Sequence, residues 1–146
     1  MNNIAEPSFF KALVTLMNQH PETYEILGEV DMSLGIIMTN PDGEDLRICI
    51  PFEELGCADV SLIKDGDETS CDCWLEGDLA AWQSMFDNIV ENGTATGRQT
   101  ISSLTLVGDQ IRVRGVDPMG VDRFFRFNQT VQQFFDGASQ IALVEA

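Results

Sequence analysis

Basic residues are scarce in this chain. Eight lysines and arginines stand against 24 aspartates and glutamates in 146 residues, a formal net charge of −16. Such a chain is repelled by nucleic-acid phosphates and by anionic lipid head groups, so neither nucleic acid nor a membrane surface is expected as a partner. Histidine occurs once, at His20. One histidine before a proline is a poor start for a nucleophile–histidine–acid triad, and no Gly-x-Ser-x-Gly elbow is present. Gly-x-Gly-x-x-Gly and phosphate-loop patterns are missing too. Neither an enzyme activity nor a cofactor is therefore expected. Long apolar runs are absent, each ending well short of the ~18 residues that cross a membrane. Residues 1–7 have no basic segment and no long apolar one, so no secretory signal is expected and the cytoplasm is the expected compartment.

Cysteine is also sparse. Four thiols are too few for a disulfide-built scaffold. Cys71-Asp72-Cys73, read as strand, points two thiols to one face. A zinc site would have to recruit Cys49, Cys57 or His20, and their spacing does not follow the paired pattern of such sites. Asp65, Asp67 and Glu76 fall at positions 1, 3 and 12 of a calcium-type loop, but Ser70 stands where the loop needs glycine. The reading is reduced, buried cysteines, an acidic turn and no metal.

What is present fits a single domain over residues 1–146. Apolar residues make up 44% and charged residues 22%, an ordinary globular balance. Residues 8–19 carry Phe9, Phe10, Leu13, Val14, Leu16 and Met17 near helical spacing after Pro7, and His20-Pro21 ends them. Residues 26–38 alternate through Ile26, Val30, Met32, Leu34, Ile36 and Met38, the mark of a strand with one apolar face. Asn40-Pro41-Asp42-Gly43 predicts a turn with glycine at positive φ, and residues 46–52 alternate back as the second arm of a hairpin. Further strands are predicted around Val60–Leu62, Cys71–Leu75 and 110–115.

Helices are predicted from Asp78 as cap to about Glu91, closed by Asn92-Gly93, and from Asp117-Pro118 to about Phe135, stopped by Gly137. A short helix is permitted before residue 107. Strands, helices, then one more strand argue α+β. The acids are uneven: residues 1–76 hold 16 acids and 3 bases, residues 77–146 hold 8 and 5. A basic protein partner for the first half is one reading, and a solvated acidic surface is the plainer one. Arg123 and Arg126, on one helix face, suit either a ligand carboxylate or the acids of the first half.

The remaining signal is apolar. Nine phenylalanines accompany one tyrosine, and Phe124, Phe125, Phe127, Phe134 and Phe135 crowd the last helix. A helix with aromatics on more than one side is packed on several sides or borders a cavity. The stretch Cys73-Trp74-Leu75-Glu76-Gly77-Asp78, the helix Trp82 to Val90 with Gly93, and Gly108 to Gly115 together resemble the sterol carrier protein type 2 (SCP-2) family in order and spacing. The resemblance implies a mixed, mainly antiparallel five-stranded sheet with helices on one face. It implies an apolar tunnel between them for a fatty acid, fatty acyl or sterol-like ligand, and no catalytic residue. By analogy the lining falls on Trp82, Met85, Phe86, Ile101, Leu104, Phe124, Phe127, Val131 and Phe135. Two departures stand out. Asp109 adds a residue to the glycine-flanked strand, and the chain is acidic and ends Val144-Glu145-Ala146 where many eukaryotic members are basic with a peroxisomal tripeptide. The alternative is an accessory protein of the same fold, its tunnel filled by side chains, docked through its acidic half.

Overall fold

A computed structural model describes residues 4–106 and 110–145, with no side-chain description beyond residue 141. The helices are α1 (Pro7–Gln19), α2 (Pro21–Glu25), α3 (Leu79–Asn92), α4 (Ile101–Leu106), α5 (Pro118–Arg126), α6 (Asn128–Asp136) and α7 (Ala138–Glu145). The strands are β1 (Val30–Thr39), β2 (Leu46–Glu54), β3 (Gly56–Cys57), β4 (Ser61–Leu62), β5 (Cys73–Asp78) and β6 (Ile111–Arg114). They form one mixed sheet in the order β3-β2-β1-β5-β6, with the two-residue β4 also paired to β2. Only β1 and β5 run parallel; the other pairings are antiparallel. The architecture is thus α+β, with a five-strand path and one short addition.

The alternation in the sequence sets the faces. Met32, Leu34 and Ile36 of β1 stand beside Phe52, Ile50 and Ile48 of β2, while Leu34 and Ile36 stand beside Cys73 and Leu75 of β5. This inner face joins Phe9, Phe10 and Leu13 of α1, Trp82 and Phe86 of α3, and Val131 and Phe135 of α6 in one core. The Gly108–Asp109 part of the glycine-flanked strand lies outside the described residues.

Several local expectations are corrected. β1 starts at Val30, not Ile26, because Gly28 at φ 90 breaks the alternation; Ile26 is 91% exposed. Gly43 is not among the positive-φ glycines. Asn40 holds that turn instead, accepting from the Asp42 amide at 3.0 Å while its own amide donates to Asp45 at 2.8 Å. Asp78 precedes α3, but its carboxylate accepts from the Thr39 hydroxyl at 2.7 Å rather than capping the helix. Gly93 does close α3, left-handed at φ 82, with its amide on the Ile89 carbonyl. Asp117 caps α5 through the Gly120 amide at 3.1 Å.

The single long helix expected to Phe135 is broken at Phe127, whose φ of −109 and ψ of 15 leave helical space. Gly137 does end α6 as its C-cap, but it stays right-handed at φ −59, and α7 follows at once. Its lack of a side chain serves packing, since a Cβ there would meet Leu16 Cδ2 at 2.8 Å.

Candidate functional site

The interior between sheet and helices is the first candidate. Eight of the nine predicted lining residues are buried there: Trp82, Met85, Phe86, Ile101, Leu104, Phe124, Val131 and Phe135. Three of them meet ring to ring. The Trp82 and Phe86 rings stack at 6.4 Å, and Phe135 sets its edge on Trp82 at 5.8 Å and on Phe86 at 5.6 Å. Such offset and edge-on pairs add stabilisation beyond area burial. Phe9 packs on Phe86 at 4.9 Å, and Phe52 on Phe134 at 5.2 Å. Phe9, Phe10, Phe52 and Phe134 thus belong to the same aromatic layer and were not among the predicted lining residues. The helical spacing of α1 was the available signal for the first two.

The Trp82 indole N–H donates to the Ile37 carbonyl at 3.2 Å, which fixes α3 against β1. Thr130 is the only buried polar residue among the described residues. The interior therefore has nothing with which to bind a charge.

Phe127 differs from the other eight. It is half-buried and lines an open groove of about 1090 Å³ at one end of the sheet. Val30, Leu55 and Cys57 supply further apolar wall, and Glu29, Asp31, Glu53 and Glu54 supply carboxylates. Val30 is also part of the core, and Phe127 packs against it. Asn18 holds the groove wall: its amide donates to the Cys57 carbonyl at 3.0 Å and accepts from the Cys57 amide at 2.9 Å. Arg123 is engaged by the first half, at 3.4 Å from Asp72 and 3.3 Å from the Asp31 carbonyl. Arg126 lies over the Phe127 ring at 6.0 Å.

The thiols lie on both sides of the sheet. Cys73 faces the core, its sulfur 3.7 Å from Met32 Sδ. Cys71 lies before the strand begins and faces outward, its sulfur 3.0 Å from that of Cys49. The expectation of one shared face fails because β5 starts at Cys73. Burial pushes the Cys57 and Cys73 thiols up to about 12. Cys71 donates its S–H to Cys49, which lowers the Cys49 pKa and raises that of Cys71. Among the described residues no three of histidine, cysteine, aspartate and glutamate gather as a metal-binding set. No helix of the described residues is long and apolar enough to cross a membrane.

A mixed sheet ordered β3-β2-β1-β5-β6 under a layer of helices, with an interior that is apolar but for Thr130 among the described residues, defines an SCP-2-like fold. A crystal structure of sterol carrier protein 2 superposes with a TM-score of 0.69 at 15% identity, over 94% of this chain and 98% of that one. The solution structure of a conserved hypothetical protein from Thermus thermophilus, for which a sterol carrier role is suggested, superposes with a TM-score of 0.66 at 14% identity, over 94% and 90%. At such identities the likeness is one of fold. No family model matches the sequence, and no curated protein matches it.

Proposed function

We propose that this protein is a non-enzymatic, cytoplasmic carrier of an apolar ligand of fatty acyl or sterol-like class. The observation that carries the reading is the interior itself: a layer of large apolar side chains between sheet and helices, without a charge or catalytic group. The ligand takes its place among Trp82, Met85, Phe86, Ile101, Leu104, Phe124, Val131 and Phe135 when α5–α7 move outward, and Phe127 marks the mouth. Each buried CH₂ contributes ~0.8 kcal/mol, so a ten-carbon chain supplies roughly 8 kcal/mol before ordering costs. The four carboxylates of the groove repel a free fatty-acid anion. A neutral acyl ester or sterol-like alcohol is the better cargo.

A second reading rests on the ring contacts. Edge-on packing of Phe9, Phe86, Trp82 and Phe135 fills the interior with the protein's own side chains. An accessory protein docked on a basic partner through residues 1–76 would look the same.

Native mass spectrometry of freshly purified protein, before and after organic extraction, separates the two. A discrete added mass that is lost on extraction, and restored by a sterol-like alcohol better than by a fatty acid, is the expected result. A bare mass that takes up neither would sink the carrier and leave the accessory reading. In a folded Phe124→Asp variant, uptake should drop at least tenfold.

A further inference from the structure

Among the described residues, three buried apolar side chains stand apart from the core: Ile37, Cys71 and Trp74. The register explains why. Gly35 of β1 pairs with Cys49 of β2 on one side and with Trp74 of β5 on the other. All three point away from the helices, opposite to Leu34 and Ile36. Gly35 has no side chain, and a Cβ there would meet Trp74 Cβ at 2.8 Å and Cys71 Sγ at 3.5 Å. The Cys49 and Cys71 sulfurs therefore meet over a gap in the middle strand, 3.0 Å apart.

Cys71 is held there from both sides. On one side, Glu68 is 3.4 Å from Arg47 of β2. On the other, the Asp72 amide donates to the Ser33 carbonyl at 3.1 Å, and the Asp72 carboxylate accepts from the Ser33 amide at 2.9 Å.

We propose that Cys49 and Cys71 are a redox pair that closes to a reversible intramolecular disulfide on reaction with a hydroperoxide. The sulfurs need to approach by only about 1 Å to reach disulfide distance, ~2.05 Å. Cys49 is the reactive partner, being half-buried where Cys71 is buried, and receiving the S–H of Cys71. Its thiolate attacks one oxygen of the peroxide; the O–O bond breaks and the leaving hydroxide takes up a proton as water. The Cys71 sulfur then attacks the sulfenic sulfur of Cys49. The S–O bond breaks, the proton of Cys71 leaves with the hydroxide as water, and the S–S bond forms. Two thiols and one hydrogen peroxide give one disulfide and two waters. Cys57 and Cys73 lack this option, since each faces a methionine thioether, of Met17 and Met32.

The test treats the reduced full chain with equimolar hydrogen peroxide. The expected product is a monomer lighter by about 2 Da, reversed by dithiothreitol. Its non-reduced peptide map joins Cys49 to Cys71. Closing this loop should raise Tm by roughly 5–10 °C. Cys49→Ser and Cys71→Ser should each abolish the mass loss, while Cys57→Ser keeps it. The map of the unsubstituted protein decides the matter even if a variant folds poorly. No mass loss, a link through Cys57 or Cys73, a disulfide dimer, or addition of oxygen without a link would each overturn the proposal.

Discussion

Along β1, Leu34 and Ile36 turn toward the helices, while Gly35 and Ile37 turn the other way, and the two sides carry different chemistry. The inner row across the sheet is Ile48, Ile36 and Leu75; one residue along, the outer row is Arg47, Ile37 and Glu76. Inside, contacts are apolar and aromatic. Outside, Arg47 reaches Asp45, Asp65 and Glu68, and the Cys71 thiol hydrogen-bonds to Cys49. A period of two lets one strand serve both, because neighbours in sequence never share a face. The inner face suits a ligand without charge, and the outer face suits reactions that need polar groups and water.

Paired substitutions break this comparison most sharply on β5. Leu75→Asp buries an unpaired carboxylate and should cost at least about 4 kcal/mol, enough to unfold much of the protein. Glu76→Leu, one residue on, should stay within ~1 kcal/mol, since it removes only a half-exposed contact to Arg114 at 3.9 Å. Urea melts of the two check this; equal losses would mean that the faces are not energetically distinct.

The tryptophans give the next largest contrast. Trp82→Phe removes the hydrogen bond to the Ile37 carbonyl and should cost ~1–3 kcal/mol. The Trp74 indole N–H is buried with no partner among the described residues, so Trp74→Phe should be neutral or slightly stabilising. Thermal melts would show opposite or unequal shifts; a loss at Trp74 as large as at Trp82 would count against the assignment.

The last contrast is in pH. Burial raises Cys57 and Cys73 from 9.0 to about 12, so an unfolded chain loses these protons first as pH rises. Their contribution is complete below pH 9 and is lost between pH 9 and about 12. Cys49 shifts the other way and should be the first thiol alkylated near neutral pH. A pH series of iodoacetamide labelling with peptide mapping checks the order, which fails if Cys73 reacts before Cys49.

Alternation and caps made much of this fold legible. The β1–β2 hairpin, the helix from Leu79 to Gly93 and the Asp117-Pro118 start follow from local chemistry that the chain carries with it. The misses have tertiary causes. Ile26 continues the alternation only on paper, because Gly28 turns the chain before the sheet begins. Phe127 divides the last helix with no local signal to mark the break, whereas Gly137, the stop the sequence offered, ends α6 where a Cβ would meet Leu16 of α1. The candidate lining was legible as residues to be buried, since apolar side chains at helical spacing must face something. That Phe127 alone reaches the groove depends on β3 and α1, which lie far from it in sequence. The Cys49–Cys71 approach was hidden for the same reason: it requires knowing that Gly35 lies between their strands.

The strand order also sets a timetable. β1 and β2 are joined by a short turn, and such hairpins close within ~1–10 μs. The β1–β5 pairing joins residues such as Thr39 and Asp78, separated by 39 positions, and contacts of that span form late. Cys49 rides on the early hairpin and Cys71 arrives with the late strand. The two sulfurs thus come within reach only once β5 has docked, which makes the pair a chemical clock for the last stage of assembly.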